Sequence, residues 1–140
     1  MDIMELMENL ENFIIVNGNT LKYNGNKYTN YAMYGSESDL FVIVTDFLND
    51  KRIKYEVVDL RNDKDIDLIK LAKDLVQNEA VLLLKGYGDV DNLERWRFSA
   101  IFKDLSINGA KINYLGTIAF MNKNKFKLDF SEEDCFTELY

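Results

Sequence analysis

A three-layer α/β domain with a mostly parallel sheet and a small hairpin near the N-terminus is the fold that this sequence predicts. Three observations predict it. Short apolar strands alternate with amphipathic helical stretches of about 10 to 15 residues, the rhythm of strand-helix-strand units with right-handed crossovers. The run Ala80 to Leu84, AVLLL, is apolar throughout, as in a strand covered on both faces. No linker, low-complexity tract or internal repeat divides the 140 residues, so a single domain is expected. Within it, residues 1–30 form an N-terminal helix and hairpin, 31–124 the core, and 125–140 a tail.

The elements follow from local pattern. MDIMELMENLENF places Ile3, Met7 and Leu10 on one helical stripe, with Met4, Leu6 and Phe13 beside it. Two Asn-Gly pairs, Asn17-Gly18 and Asn24-Gly25, tolerate the positive φ of tight turns and predict a small meander. It leads into a core strand at about Tyr31 to Tyr34. Leu40, Phe41, Val44, Phe47 and Leu48 then recur as on a helix buried along one face and ending near Asp50. Ser36 or Ser38 is the expected cap, and Ser36 with Asp39 reads as a capping box.

Lys54 to Leu60 reads as a strand, and Leu68, Leu71, Ala72, Leu75 and Val76 as the stripe of the next helix. After the Ala80–Leu84 strand, Asp91 with Glu94 predicts the start of a helix carrying Leu93, Trp96, Ala100, Ile101 and Leu105 inward. Asn108-Gly109 marks a turn, and Tyr114 to Met121 a further strand. The tail SEEDCFTELY is expected to add a final helical turn or two, capped by Ser131 with acids in its first turn.

Composition narrows the function. The longest apolar runs, LFVIV and AVLLL, fall far short of the ~20 residues that cross a bilayer. The N-terminus MDIMEL is acidic and lacks a cleavable apolar segment, so a cytoplasmic location is expected. One cysteine, Cys135, cannot close an internal disulfide, and with no histidine in the chain nothing of that type can activate it. Any acid-base chemistry would fall to carboxylates, and the commonest transition-metal ligand is missing. A formal charge of -7 argues against a nucleic-acid backbone binder. Lys103, Lys111, Lys123, Lys125 and Lys127 make the last third locally basic, but Asp104 and Asp129 intervene, as on a solvated surface.

The order of strand, YGSESDLFV junction, helix, IKYEVVDLRN, helix, AVLLLKGYGDVDN, helix, ING turn and YLGTIAFMN resembles the core of AAA+ ATPases, most closely the MoxR-type branch. The likeness spans about Tyr31 to Asn124. It implies a truncated P-loop core in which the first junction stands at the Walker A loop, the third strand ends at Walker B, and Asn122 matches the sensor asparagine.

The chemistry of that family is absent from these positions. Against G-x-x-x-x-G-K-[ST] the chain keeps Gly35 but has Leu40, Phe41 and Val42 where the second glycine, the lysine and the hydroxyl residue stand. Backbone N–H groups and the lysine hold the phosphates in such a loop, and the hydroxyl residue helps hold Mg²⁺. Here Glu37 and Asp39 set like charge against a triphosphate at a helix N-terminus. Lys85 and Gly86 replace the Walker B acids. Asp89 and Asp91 lie nearby, but loop solvation and capping explain them better than metal binding.

These readings lead to a pseudo-ATPase: an AAA+-like protein with a degenerate P-loop, no catalytic residues, no cofactor and no metal. It is expected to act on a protein partner, such as an AAA+ ATPase whose subunit surface it imitates. Tyr87, Asp89, Trp96 and Asn122 are the candidate interaction residues, although core packing is the simpler role for Trp96. Asp59 and Arg61, at a strand's end where open α/β sheets place ligands, are expected to form a surface ion pair or turn. A nucleotide sensor without turnover and an acidic nucleic-acid mimic are the alternatives. A small protein of phage or mobile-element origin suits all three.

Overall fold

The computed structural model describes residues 2–17, 20–23, 30–62, 67–89, 116–121 and 137–140. They form an α/β fold around a parallel sheet, with a separate two-stranded hairpin. Helix α1, Ile3–Phe13, precedes strands β1, Ile14–Asn17, and β2, Thr20–Tyr23, which pair antiparallel with Asn17 opposite Thr20. This is the hairpin that Asn17-Gly18 predicts. The second Asn-Gly pair lies outside the described residues.

The core alternates as the apolar pattern dictates: β3, Asn30–Tyr34; α2, Glu37–Asp50; β4, Tyr55–Asp59; α3, Leu68–Asn78; β5, Val81–Lys85; a short 3₁₀ turn, Tyr87–Asp89; and β6, Thr117–Met121. The four strands β3 to β6 run parallel in the order β4-β5-β6-β3. Burial follows the order. All five residues of central β6 are buried, as are the first four of β3 and of β5, whereas border strand β4 has one fully buried residue, Val58. Continuous burial on both faces is why AVLLL and TIAFM show no alternation.

Among the described residues the sheet is wholly parallel, and the tail corrects one expectation. A two-residue strand β7, Thr137–Glu138, pairs parallel with Tyr31 and Ala32 on the free side of β3, where a helical turn is predicted. Leu139 N–H donates to Ala32 C=O at 2.8 Å, and Tyr34 N–H to Tyr140 C=O at 3.0 Å. Leu139 is buried, and its carbonyl accepts from Asn9 Nδ2 at 2.8 Å, so the same segment holds α1. The unpaired border of β3 and the apolar socket for Leu139 outweigh the weak helical preference of four residues. Ser131 lies outside the described residues.

On α2, Leu40, Val44, Phe47 and Leu48 are buried as predicted, and Phe41 meets Phe120 of β6 edge-on at 5.8 Å between ring centroids. On α1, Leu10 of the expected stripe is buried and Met7 packs half-buried against the core, but Leu6 is buried in place of Ile3, which is exposed like Met4. On α3, Leu75 is buried and Leu71 half-buried, while the side chains of Leu68, Ala72 and Val76 lie outside the described ones.

Helices α2 and α3 stop in the same way. Arg52 and Glu79 take positive φ, 58° and 52°, and the next residues, Ile53 and Ala80, return their N–H groups to Leu48 and Leu75 carbonyls. This αL closure satisfies orphan carbonyls and buries Ile53 and Ala80 at the entry to β4 and β5.

Candidate functional site

All four long strands end on one border of the sheet, where open α/β folds place ligands. There Gly35, Ser36, Glu37, Ser38, Arg61, Gly86, Gly88, Asp89 and Phe120 line a cleft of about 380 Å³. Gly35, Ser36 and Glu37, the junction between β3 and α2, contribute to its lining. Gly35 has φ +145°, a conformation disfavoured for residues with a Cβ, and its N–H donates to Met121 C=O at 3.2 Å. Ser36 occupies the N-cap position, and its carbonyl accepts from Leu40 N–H at 2.9 Å. Its side chain makes no capping bond and stands 3.4 Å from Ser38 Oγ, so the expected Ser36-Asp39 capping box does not form.

The arrangement is organised around Arg61. Its Nε donates to Asp59 Oδ1 at 2.8 Å and its Nη2 to Asp59 Oδ2 at 2.9 Å, a bidentate pair closed further by Arg61 N–H to Oδ1 at 3.1 Å. The same Nη2 donates to Glu37 Oε1 at 2.6 Å. Nη1 lies 3.6 Å from Asp89 Oδ2. One guanidinium thus links the ends of β4 and β5 to the first turn of α2. Hydrogen bonding to Arg61 holds the Asp59 carboxyl below the usual carboxylate range, and Asp59, then Glu37, push the guanidinium further up.

Lys85, at the end of β5, has Nζ 3.9 Å from Glu37 Oε1 and 4.7 Å from the centre of the Phe41 ring. Three carboxylates, Glu37, Asp59 and Asp89, therefore share this end of the sheet with two cations, Arg61 and Lys85. Gly86 makes the packing possible. Its φ is +77°, and a Cβ there would sit 3.0 Å from both Arg61 Cγ and Asp59 Oδ1.

Of the predicted interaction residues, Tyr87 and Asp89 are among those described. Tyr87 is fully buried, so its ring packs inside and offers no anchor to a partner. Asp89 is exposed on the cleft wall. Trp96 and Asn122 lie outside the described residues, as do Asp91 and Cys135. The Asp59-Arg61 pair is present as expected, but its extension to Glu37 joins residues 24 apart and has no periodic signal in sequence. The available cue was chemical: an acid placed at an anion-binding junction calls for a cation, and VVDLR supplies one at the end of the next core strand in the chain.

The chain matches no family model, no curated protein and no solved structure. The parallel α/β architecture stands on the structure alone. Among the described residues, no group of three or more Cys, Asp or Glu side chains is placed to hold a metal ion, and no helix is long and apolar enough to cross a membrane. Chemically, the site as built is a self-contained ion-pair cluster. Glu37 brings a carboxylate to the N-terminus of α2, where the helix dipole favours an anion, and Arg61 brings the countercharge.

Proposed function

We propose that this protein is a non-catalytic, three-layer domain with a truncated P-loop-like core that acts through protein-protein contact, regulating or inhibiting an ATPase assembly of the AAA+ type. The supporting observation is the Glu37-Arg61 bond at the β3-α2 junction. Where a P-loop would receive phosphate oxygens and a lysine, this chain has its own carboxylate and its own guanidinium. A triphosphate entering here would meet Glu37 and would have to break a charge-assisted hydrogen bond to reach Arg61.

The remaining positions support the same reading. Phe41, at the place of the lysine in the likeness, turns its ring toward Phe120 and carries Lys85 over its face. Lys85, at the place of a Walker B acid, is engaged with Glu37. A domain that keeps the outline of such a core without its phosphate chemistry is suited to occupy a neighbour's place in an assembly by shape and charge.

The test pairs two measurements on the purified protein. Thermal unfolding with ATP, ADP and GTP, each with and without Mg²⁺, is expected to leave the Tm unchanged, because a ligand bound only to the native state would raise it. Affinity capture from the native host is expected to retain an ATPase. A nucleotide-dependent rise in Tm, or measurable ATP hydrolysis that Arg61→Ala alters, overturns the reading.

A further inference from the structure

Border strand β4 has one strand neighbour among the described residues, β5. The register fixes which backbone groups face the other way. Lys54 C=O accepts from Val81 N–H at 2.9 Å, and Leu60 N–H donates to Lys85 C=O at 3.0 Å. In a parallel ladder this assigns Lys54, Glu56, Val58 and Leu60 to β5 and turns the N–H and C=O groups of Tyr55, Val57 and Asp59 outward. The Asp59 carbonyl is taken by Asn62 N–H at 3.0 Å. Tyr55 and Val57 therefore present two donors and two acceptors in a straight row.

The side chains add to this. Val57, at mid-strand, is 44% exposed, unusual for a β-branched apolar residue in the sheet of this fold. The segment YEVVD contains no proline, glycine or lysine, three residue types that commonly guard or interrupt such a border.

We propose that this edge is a homodimer interface, in which β4 of a second copy adds antiparallel to β4 and joins two sheets into one. A closed dimer has two-fold symmetry, and two-fold symmetry requires antiparallel pairing of like strands. Charge selects the register. Centring the axis on Glu56 would set two carboxylates directly opposite each other, which is destabilising. Centring it on Val57 sets Val57 against Val57 of the second copy, a double hydrogen bond with an apolar contact, and sets Glu56 against Val58 instead of against its own copy. The same row of donors and acceptors could receive a strand of a different protein. What favours the second copy is that one register of the edge with itself pairs the outward N–H and C=O of Val57 with their own copies and keeps the Glu56 carboxylates apart.

The test is sedimentation or light scattering across concentrations up to about 1 mM, the weak end of specific association. The wild-type chain is expected to approach twice its 16.4 kDa mass. Val57→Pro removes only an outward N–H, so the β5 ladder survives, and dimerisation is expected to weaken at least about tenfold. Val57→Thr, which keeps the N–H and the β-branch, is expected to dimerise. If Val57→Pro does not fold, Val57→Lys tests the same point by opposing two cations on the axis. Hydrogen exchange gives a second readout: the Tyr55 and Val57 amides are expected to gain protection as concentration rises. A wild-type chain monomeric throughout, or a folded Val57→Pro chain dimerising as tightly as wild type, overturns the proposal.

Discussion

Arg61 Nη2 and Glu37 Oε1 lie 2.6 Å apart, tying the turn after β4 to the first turn of α2. The bond decides what the junction can do. Glu37 stands where a helix N-terminus attracts anions, and Arg61 neutralises it from a strand end.

Coupling between these two residues is measurable by a double-mutant cycle of Glu37→Gln and Arg61→Met in urea unfolding. The Arg61 side chain is 39% exposed, so solvent screens the interaction and the expected coupling is about 0.5–1 kcal/mol. It should shrink as salt is raised. A coupling of zero at low salt would show that the 2.6 Å contact does not organise the junction.

Acid should loosen the same cluster. The Asp59 carboxyl titrates below its ordinary 3.8 in the folded chain, chiefly through its hydrogen bond to Arg61. A depressed folded value contributes stability that is present above the unfolded pKa and is lost as pH falls through the folded one. Unfolding free energy measured from pH 5 downward should therefore fall more steeply in wild type than in Asp59→Asn. Equal slopes would refute the assignment.

Gly86→Ala should destabilise the fold by about 1–3 kcal/mol. The added methyl faces Arg61 Cγ and Asp59 Oδ1 at 3.0 Å and Arg61 N at 3.2 Å, in a backbone conformation that side chains disfavour. Part of that cost should vanish in an Arg61→Ala background, where one obstructing side chain is gone. Additivity of the two changes in thermal or urea unfolding would argue against the contact.

Leu139→Ala tests the tail. Leu139 is buried, its N–H and C=O are bonded to β3 and α1, and truncation should cost about 2–4 kcal/mol. Amide exchange should then quicken at Ala32 and Tyr34 ahead of β5, because β7 protects that side of β3.

The sheet was legible because its strands are buried on both faces and its helices carry apolar stripes. Val81 to Leu84, Thr117 to Met121 and the Leu40-Val44-Leu48 face leave no competing period. The tail was not, because Thr137 and Glu138 gain their strand only from the open side of β3, a tertiary fact with no local signal. At the site, the pairing of Asp59 with Arg61 was readable from their two-residue spacing. The link from Arg61 to Glu37 depends on two strand ends converging. The inward turn of Tyr87 likewise follows from the 3₁₀ turn after β5, which the Gly86-Tyr87-Gly88 spacing does not announce.

The placement of β3 also has a consequence for how the chain acquires its shape. Residues 30–34 find their strand partners at 117–121 and 137–138, so the first core strand to leave the ribosome waits for much of the remaining polypeptide before it can pair. Closing so long a loop is slow, and meanwhile Tyr31, Ala32 and Met33 stay unsheltered. Nascent chains stalled before residue 117 should therefore leave β3 unpaired and engage chaperones, whereas release past the tail should let β3 dock on β6 and β7.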